Sequence, residues 1–239
     1  MRANGPKPLE RGNTYAYSGT FTPNTSSCGS ERFLSHSTRL ASCGRDEGFI
    51  HAPSWHTTRL SFQEAQHDLL YNIAFTIPRN TFTEAKSWLR KRVSLLRKKS
   101  EDEFFFATLN ARSLYFCDAA NTIHELIVHY DLDHETEETF RSAQVLHVSE
   151  VGLPVEDVPA QVSLLREKLA IEPYGGLVLE EFAFMGDIYG QLVVVKIGRH
   201  WQPAETLLAT VSSMQLTMSG KPEQQLQLSP FLYTITVVL

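Results

Sequence analysis

The clearest hydrophobic pattern in the chain runs from residue 67 to residue 116 and predicts a strand, a helix and a strand. Residues 69–77 alternate incompletely and contain aromatic and branched side chains, which predicts a strand that ends at Pro78. The following segment has apolar residues at helical spacing, and Thr81 with Glu84 fits a capping box at its start. The predicted buried stripe of this helix consists of Phe82, Ala85, Leu89, Val93 and Leu96.

The rest of the chain is predicted to form mostly strands in neighbouring pairs. These strands cover residues 57–62, 103–109, 113–117, 122–130, 142–151, 177–184, 190–197, 207–218 and 225–239, and a second helix covers 160–170. Such pairing predicts an α+β fold that is mainly an antiparallel sheet or barrel with two or more amphipathic helices, because a parallel sheet would need a helix at nearly every crossover. No internal repeat of fixed period is visible.

The first 56 residues differ in composition and are predicted to form an extended N-terminal arm, followed by a single domain over residues 57–239. This segment is rich in Ser, Thr, Gly, Asn and Pro and has few periodic apolar residues, so it cannot offset its own ordering entropy by burial. We therefore expect the arm to lie on its own domain or on other protein subunits. The Arg- and Ser-rich, acid-poor composition of the arm is similar to an organellar targeting peptide, although Pro6 and Pro8 interrupt any helix at its start.

Charge and cysteine content exclude some general classes of protein. The net charge is −5, so the whole chain is not a generic binder of polyanions. The charge is uneven, because residues 1–45 carry six basic and two acidic residues. Three cysteines without a C-x-x-C spacing give no disulfide framework and no zinc motif. No apolar run is long enough to predict a membrane span.

The basic face of the first helix is the leading candidate for a binding surface. It is predicted to contact phosphates of RNA or of a nucleotide, or an acidic protein partner. The alternative is a solvated face whose charge suits the carboxyl end of a helix. The residues of this face are Lys86, Arg90, Lys91, Arg97 and Lys98.

A cluster of histidines and acids near residue 130 offers metal-ligand chemistry without a known metal-binding spacing. Alternation places His129 and Asp131 on one side of a strand and His124 on the other. Imidazole and carboxylate groups so close together could bind a transition metal. A strand that runs into an acidic surface loop with Asp133 and His134 explains the same pattern, and no metal site is predicted.

Carboxylates on a later hairpin offer a second candidate. Glu180, Glu181, Asp187 and Lys196 could hold a metal and a phosphate inside a barrel, although only one of two adjacent glutamates can face a core. Solvent-facing side chains are the simpler interpretation. No nucleophile elbow, Walker motif or dinucleotide fingerprint occurs, so no catalytic residue and no cofactor are predicted.

The aromatic run over residues 104–106 has two interpretations. Three successive Phe side chains could stack the bases of a single-stranded nucleic acid. A strand buried on both faces would also contain such a run.

The order of elements resembles the CYTH or triphosphate-tunnel family. The resemblance rests on NIAFTIPRNTFTEAKSWLRK, on EFFFATLNARSLYF and on the hairpin LVLEEFAFMGDIYGQLVVVKIG. That family carries a Glu-x-Glu-x-Lys signature on its first strand, and here residues 71–75 contain neither an acid nor a lysine. The resemblance therefore implies a tunnel-type fold without the metal-dependent hydrolase activity.

These patterns together predict a non-catalytic structural or interaction subunit of a larger assembly. The assembly is predicted to be either an organellar ribonucleoprotein, with RNA as a further partner, or a complex of proteins alone, with other protein subunits bound through the arm in both cases. The predicted location is mitochondrial, or otherwise cytoplasmic. Two alternatives are a degenerate tunnel protein that binds a triphosphate or an RNA 5′ end, and a single-stranded RNA-binding module.

Overall fold

The computed structural model describes residues 70–118 and 121–238, together with the backbone of four short strands that precede them. The fold is α+β, as the sequence predicts, and its main sheet is curled and rich in antiparallel pairs. The α-helices among these residues are α1 (Phe82–Arg90) and α2 (Val158–Leu169). The strands are β1 (Tyr17–Phe21), β2 (Gly44–Asp46), β3 (Phe49–His51), β4 (Arg59–Gln63), β5 (Asn72–Thr76), β6 (Phe104–Phe106), β7 (Ala111–Cys117), β8 (Ile123–His129), β9 (His147–Val155), β10 (Pro173–Val178), β11 (Phe182–Asp187), β12 (Gly190–Lys196), β13 (Met214–Ser219), β14 (Gln224–Leu228) and β15 (Tyr233–Val238).

The eight-stranded sheet consists of two copies of one βαβββ unit. Its strand order is β10-β11-β12-β9-β5-β8-β7-β6. In each unit the first strand pairs in parallel with the last, β5 with β8 and β9 with β12, and the two first strands pair antiparallel at the centre. The absence of a repeat in the sequence is therefore misleading, because the duplication lies in the order and pairing of the strands rather than in residue identities.

A seven-stranded sheet follows the same plan in a shorter form. Its order is β14-β15-β13-β1-β4-β3-β2, and β1 pairs in parallel with β4 as β5 does with β8. The first three strands fall within residues 1–56, the segment predicted as an arm, and β1 pairs with β13. The rest of that segment lies outside the described residues, and its end at residue 56 stays a prediction.

Helix α1 is shorter than its apolar pattern predicts. The helix ends at Arg90, and Phe82, Ala85 and Leu89 form its buried stripe. Beyond it the backbone N–H of Leu96 donates to the carbonyl of Tyr115 at 2.7 Å, so the chain joins the edge of the sheet there instead of continuing the helix. The predicted capping box does not form.

Helix α2 packs between the two sheets. The Asp157 carboxylate accepts a hydrogen bond from the Ala160 N–H at 2.9 Å and so fixes the start of the helix. The buried side of α2 contacts β12 in one sheet and β14 in the other. The main core lies here, on the outer face of the eight-stranded sheet. The inner face of that sheet is not part of this core. No helix in the described part of the chain is long and apolar enough to cross a membrane.

The packing of α2 gives a direct test of this core. Leu165 is fully buried, so Leu165→Ala should lower the free energy of unfolding by about 2–5 kcal/mol through lost burial and the cavity left behind. Leu232 is 71% exposed, and Leu232→Ala should change the same quantity by about 0.5 kcal/mol or less. Urea unfolding of both variants measures the difference, and equal effects would contradict the described position of α2.

Candidate functional site

The inner face of the eight-stranded sheet encloses a cavity of about 500 Å³. Its walls are mostly aromatic and aliphatic. Its mouth carries the exposed side chains of Leu177 and Leu179, and its floor lies on the central strands, where side chains are buried. The rings that line it belong to Phe106, Tyr115, Tyr174, Phe182, Phe184 and Trp201. An apolar, concave site with a few polar groups at its base is the usual form of a small-molecule site.

Strand register brings two glutamates to the floor of this cavity. Ala74 on β5 pairs with Glu125 on β8 and, on its other side, with Glu150 on β9. Glu150 also pairs with Gln191 on β12. Directly paired residues point to the same face of a sheet, so these four residues form one row across the four central strands. The backbones of β8 and β9 are about 10 Å apart, and the small side chain of Ala74 leaves the space between the carboxylates open.

Burial changes the acidity of both glutamates. Glu125 is 2% exposed, and burial raises the pKa of its carboxyl to about 7, although contacts with the hydroxyls of Ser113 and Tyr115 offset part of the rise. Burial also raises the pKa of Glu150 well above its ordinary value, and the charge of Glu125 raises it further. Burial and the mutual repulsion of two like charges both favour the protonated form, so the pair holds a proton to a higher pH than an exposed glutamate does.

Several polar atoms around the pair have no hydrogen-bond partner within the described residues. They include Glu150 Oε1, both side-chain amide atoms of Gln191, and the indole Nε1 of Trp201. Buried polar atoms are normally paired, because each one left unpaired costs about 1–3 kcal/mol. The floor therefore has hydrogen-bonding and ligating capacity that a bound molecule could use.

Trp201 reaches the floor because one position on β9 has no side chain. A Cβ atom at Gly152 would lie 2.7 Å from Cη2 of Trp201 and 3.2 Å from Cβ of Asn72. Glycine thus permits the indole ring to lie directly on the sheet beside the carboxylate pair. The ring also excludes water from one side of the floor, which maintains the low polarity around Glu150.

The donor atoms of the row limit which metal ion could bind. The described residues contain no group of three His, Cys, Asp or Glu side chains placed to hold a metal ion. The row supplies two carboxylates and the amide of Gln191, which are oxygen donors without an imidazole or a thiolate. An all-oxygen ligand set suits Mg²⁺, Mn²⁺ or Ca²⁺, whereas imidazole and thiolate ligands would favour zinc and the soft transition metals.

The predicted basic face lies away from the cavity floor and binds acids of its own chain. Lys86 Nζ and Arg90 Nη2 lie 2.6 and 2.7 Å from the carboxylate of Asp102, and Lys86 also contacts Glu103. Burial acts to raise the pKa of Asp102, but hydrogen bonds from Lys86 and Arg90 outweigh it and lower the pKa to about 2. Arg97 lies 3.8 Å from the same carboxylate.

The other two residues of this face differ in their contacts. Lys98 donates to the side-chain oxygen of Gln202 at 2.8 Å, and Lys91 is exposed just beyond α1. Partner binding by these five residues stays a prediction.

The histidines and acids near residue 130 are not brought together. His124 stacks between Phe75 and Phe116 on the outer face of the sheet, and its Nε2 lies 3.1 Å from Asp118 Oδ2. His129 is buried, and burial lowers the pKa of its imidazole to about 4. The acidic loop members Asp131, Asp133 and His134 are exposed.

The later hairpin does not form a site either. Glu180 and Glu181 are both exposed, and Lys196 Nζ lies 3.8 Å from Glu181. The carboxylate of Asp187 accepts backbone hydrogen bonds in the turn between β11 and β12. In the run over residues 104–106, Phe106 lines the cavity while Phe105 is exposed.

Sequence patterns contained a signal for Glu125 and Glu150 that the motif search missed. Each is a lone carboxylate inside an otherwise apolar strand, IHELIVH and HVSEVGLPV. Unpaired carboxylates are rarely buried, so such positions mark candidate functional groups. No pattern in the sequence, however, indicated that β8 and β9 would flank the same strand.

Comparison with known proteins identifies the fold. No protein-family model matches the chain, and no curated protein sequence matches it. Among solved structures, a Bacillus subtilis protein provisionally named as a dioxygenase has a TM-score of 0.60 at 13% identity, over 95% of this chain and 84% of that one. Glyoxalase I from Zea mays has a TM-score of 0.52 at 10% identity, and its V278E mutant has 0.55 at 10%, each over 95% of this chain and 92% of that one.

The fold is therefore similar to that of glyoxalase I and of the protein named as a dioxygenase, and in this chain it is a curled sheet built from repeated βαβββ units. The predicted resemblance to the CYTH or triphosphate-tunnel family is wrong. It relied on the order of strand, helix and strand, which both folds share, whereas the pairing of β5 with β9 and of β1 with β13 belongs to the duplicated arrangement.

The functional predictions are corrected by the same comparison. The non-catalytic subunit of an organellar ribonucleoprotein is wrong, and neither the triphosphate- or RNA-end-binding alternative nor the single-stranded RNA-binding alternative has support. The structures that share this fold are named as a glyoxalase and a dioxygenase. The cavity floor also lacks the convergent lysines and arginines of a triphosphate tunnel, since Arg199 is the one basic residue among the described residues that line the cavity.

The raised pKa of Glu125 predicts a specific dependence of stability on pH. Because the folded state holds this proton more tightly than the unfolded chain, stability is lost as the pH rises from about 4.5 through about 7. Glu125→Gln should remove that loss, so the free energy of unfolding should fall less between pH 5 and pH 8, by about 1–3 kcal/mol.

Urea unfolding at the two pH values measures this effect. Glu181→Gln, which changes an exposed carboxylate, is the matched control and should behave as the wild type does. Identical pH dependence in Glu125→Gln and the wild type would contradict the raised pKa.

Proposed function

We propose that the protein is an enzyme that transfers protons to and from an apolar organic substrate in the cavity, with Glu125 and Glu150 as its acid–base pair. One observation carries the proposal: two buried carboxyl groups, whose pKa values burial raises, lie on one row at the floor of an apolar cavity. Carboxyl groups with raised pKa values in a cavity are the usual candidates for acid–base catalysis.

The two carboxyl groups take different roles. Glu125, whose pKa is about 7, is partly ionised at neutral pH and acts as the general base. Glu150, whose pKa is raised by burial and by the charge of Glu125, is assigned the role of the general acid. Such a pair can remove a proton from a carbon beside a carbonyl group and deliver a proton to the carbonyl oxygen. The reaction class is therefore enolisation or isomerisation of a carbonyl compound.

The surrounding residues orient this chemistry. The hydroxyl of Tyr115 contacts Glu125 and holds one side of its carboxyl, while Trp201 covers the sheet beside Glu150. The aromatic walls exclude water, so the proton passes between the substrate and the pair instead of to solvent. Gln191 pairs with Glu150 on the neighbouring strand and has a free amide that can bind a substrate oxygen.

A second candidate is a metal-assisted form of the same site. The unpaired Glu150 Oε1 and Gln191 side-chain oxygen favour it, since both could ligate a hard cation. Glu125, Glu150 and Gln191 would hold Mg²⁺ or Mn²⁺, which when bound would supply Lewis-acid polarisation of a substrate oxygen. In that case Glu125 and Glu150 would both be ionised, and neither would store a proton.

Solvent deuterium incorporation tests the proposal across several classes of carbonyl substrate at once. A panel of aryl and alkyl ketones, hydroxyketones and 2-oxo acids is incubated with the protein in D₂O, and exchange beside the carbonyl is followed by NMR. We expect exchange of at least one class, with a rate that falls by about 10²–10⁴ in both Glu125→Gln and Glu150→Gln. Glu181→Gln should leave the rate unchanged.

Two further conditions separate the candidates. Exchange that persists after treatment with EDTA supports the carboxyl pair, and exchange that requires added Mg²⁺ or Mn²⁺ supports the metal-assisted form. Equal rates of exchange in the wild type, Glu125→Gln and Glu150→Gln would contradict both candidate functions.

A further inference from the structure

Among the described residues that line the cavity, the one cation is Arg199, at the mouth on the segment that follows β12. Arg199 is half-buried, and its guanidinium carbon lies 5.0 Å from the ring centroid of Phe182. Its backbone is fixed at both ends, because its N–H donates to the carbonyl of Lys196 at 3.1 Å and its carbonyl accepts from the Ala209 N–H at 2.8 Å. A guanidinium that stacks on a ring presents its N–H groups in a fixed plane, which suits a carboxylate or another planar anion.

No carboxylate of the described residues lies within ion-pair distance of Arg199. The carboxylate of Glu181, next to Phe182 in the chain, lies 3.8 Å from Lys196 and so pairs with another cation. The chain has more acidic than basic residues, with a net charge of −5. Arg199 nevertheless faces the cavity without a carboxylate partner among the described residues. We therefore expect a bound ligand to supply the anionic partner of Arg199.

The sheet register gives the separation along β12 between the level of the carboxyl pair and the level of Phe182, on whose ring Arg199 stacks. Phe182 pairs with Val195, whereas Glu150 pairs with Gln191, four residues earlier on β12. Four residues of a strand span about 13 Å. The walls between these two levels are apolar, with Val193 and Phe184 paired at the level between them.

We infer that the cavity selects an elongated monoanion, with an apolar body of about two aromatic rings, whose anionic end binds Arg199 and whose other end reaches Glu125 and Glu150. A second negative charge at the deep end would lie beside the carboxyl pair and be repelled, so the ligand carries one charge, at the mouth. That the deep end undergoes proton transfer rests on the proposed function. The charge and length preference rests on Arg199 and the walls alone.

Two dyes with one skeleton test the charge preference. 8-Anilinonaphthalene-1-sulfonate is an anionic molecule with two aromatic groups, a naphthalene and a phenyl ring. N-phenyl-1-naphthylamine has the same skeleton without the sulfonate. Fluorescence titration should show that the wild type binds the anionic dye at least 10-fold more tightly than the neutral dye, as a charge-assisted hydrogen bond implies. Energy transfer from tryptophan to the dye that falls more in Trp201→Phe than in Trp88→Phe indicates that the dye lies on the cavity side.

Substitution of the cation tests its role. Arg199→Gln should abolish the preference for the anionic dye and leave the affinity for the neutral dye within about 2-fold, while Arg199→Lys should retain part of the preference. Arg166→Gln, at an exposed arginine paired with Glu172, is the control and should retain all of it. Thermal unfolding of each variant shows that the fold is kept.

The result that would overturn the inference is an equal affinity of the wild type for both dyes, or an unchanged preference in Arg199→Gln. Binding of either dye without energy transfer from Trp201 would also overturn it. Glu125→Gln and Glu150→Gln should retain the preference. A dye preference that depends on Arg199, in a protein that catalyses no deuterium exchange, would therefore support the ligand class and refute only the proposed proton transfer.

Discussion

Burial of two carboxyl groups on one row of a sheet is the constraint on which the rest of the structure depends. Removal of Glu125 and Glu150 from water is costly, and the cost falls when one of them keeps a proton. The fold makes this arrangement possible because two βαβββ units pair through their first strands. Ala74 on one of those strands separates the glutamates by a single small side chain.

The neighbouring residues maintain that constraint. Gly152 permits Trp201 to lie on the sheet, and the ring covers the floor. The main core, on the opposite face of the same strands, fixes their positions through α2 and the seven-stranded sheet. Stability and chemistry therefore occupy opposite faces of the eight-stranded sheet. The buried carboxyl groups at the cavity floor lower the stability of the protein, and the packing of the main core offsets that loss. This is common where a site must remain preorganised.

Local patterns were enough to predict much of the secondary structure. The strand that ends before Pro78, the start of the first helix and the helix near residue 160 all follow from periodicity and turn residues. The α+β class followed from the same patterns. The end of α1 was mispredicted because Val93 and Leu96 continue the helical spacing, while a long-range hydrogen bond from Leu96 to Tyr115 determines the backbone there.

The site could not be predicted in the same way, because it is assembled by contacts between distant parts of the chain. Glu125 and Glu150 become neighbours only through Ala74, which lies about 50 residues before the first of them in the sequence. The basic face was predicted to be a binding surface because its charges are close in sequence. Asp102, on a separate segment, neutralises much of that charge.

Infrared difference spectroscopy of the carboxyl pair tests the central claim most directly. The C=O stretch of a protonated, buried carboxylic acid is distinct from the bands of carboxylates, and Glu125→Gln and Glu150→Gln assign it. The wild type should show the signal of a protonated carboxyl group that persists to about pH 7, above the ordinary range of glutamate, and that changes in both Glu125→Gln and Glu150→Gln. A wild-type spectrum at pH 7 in which both side chains are fully ionised would contradict the account.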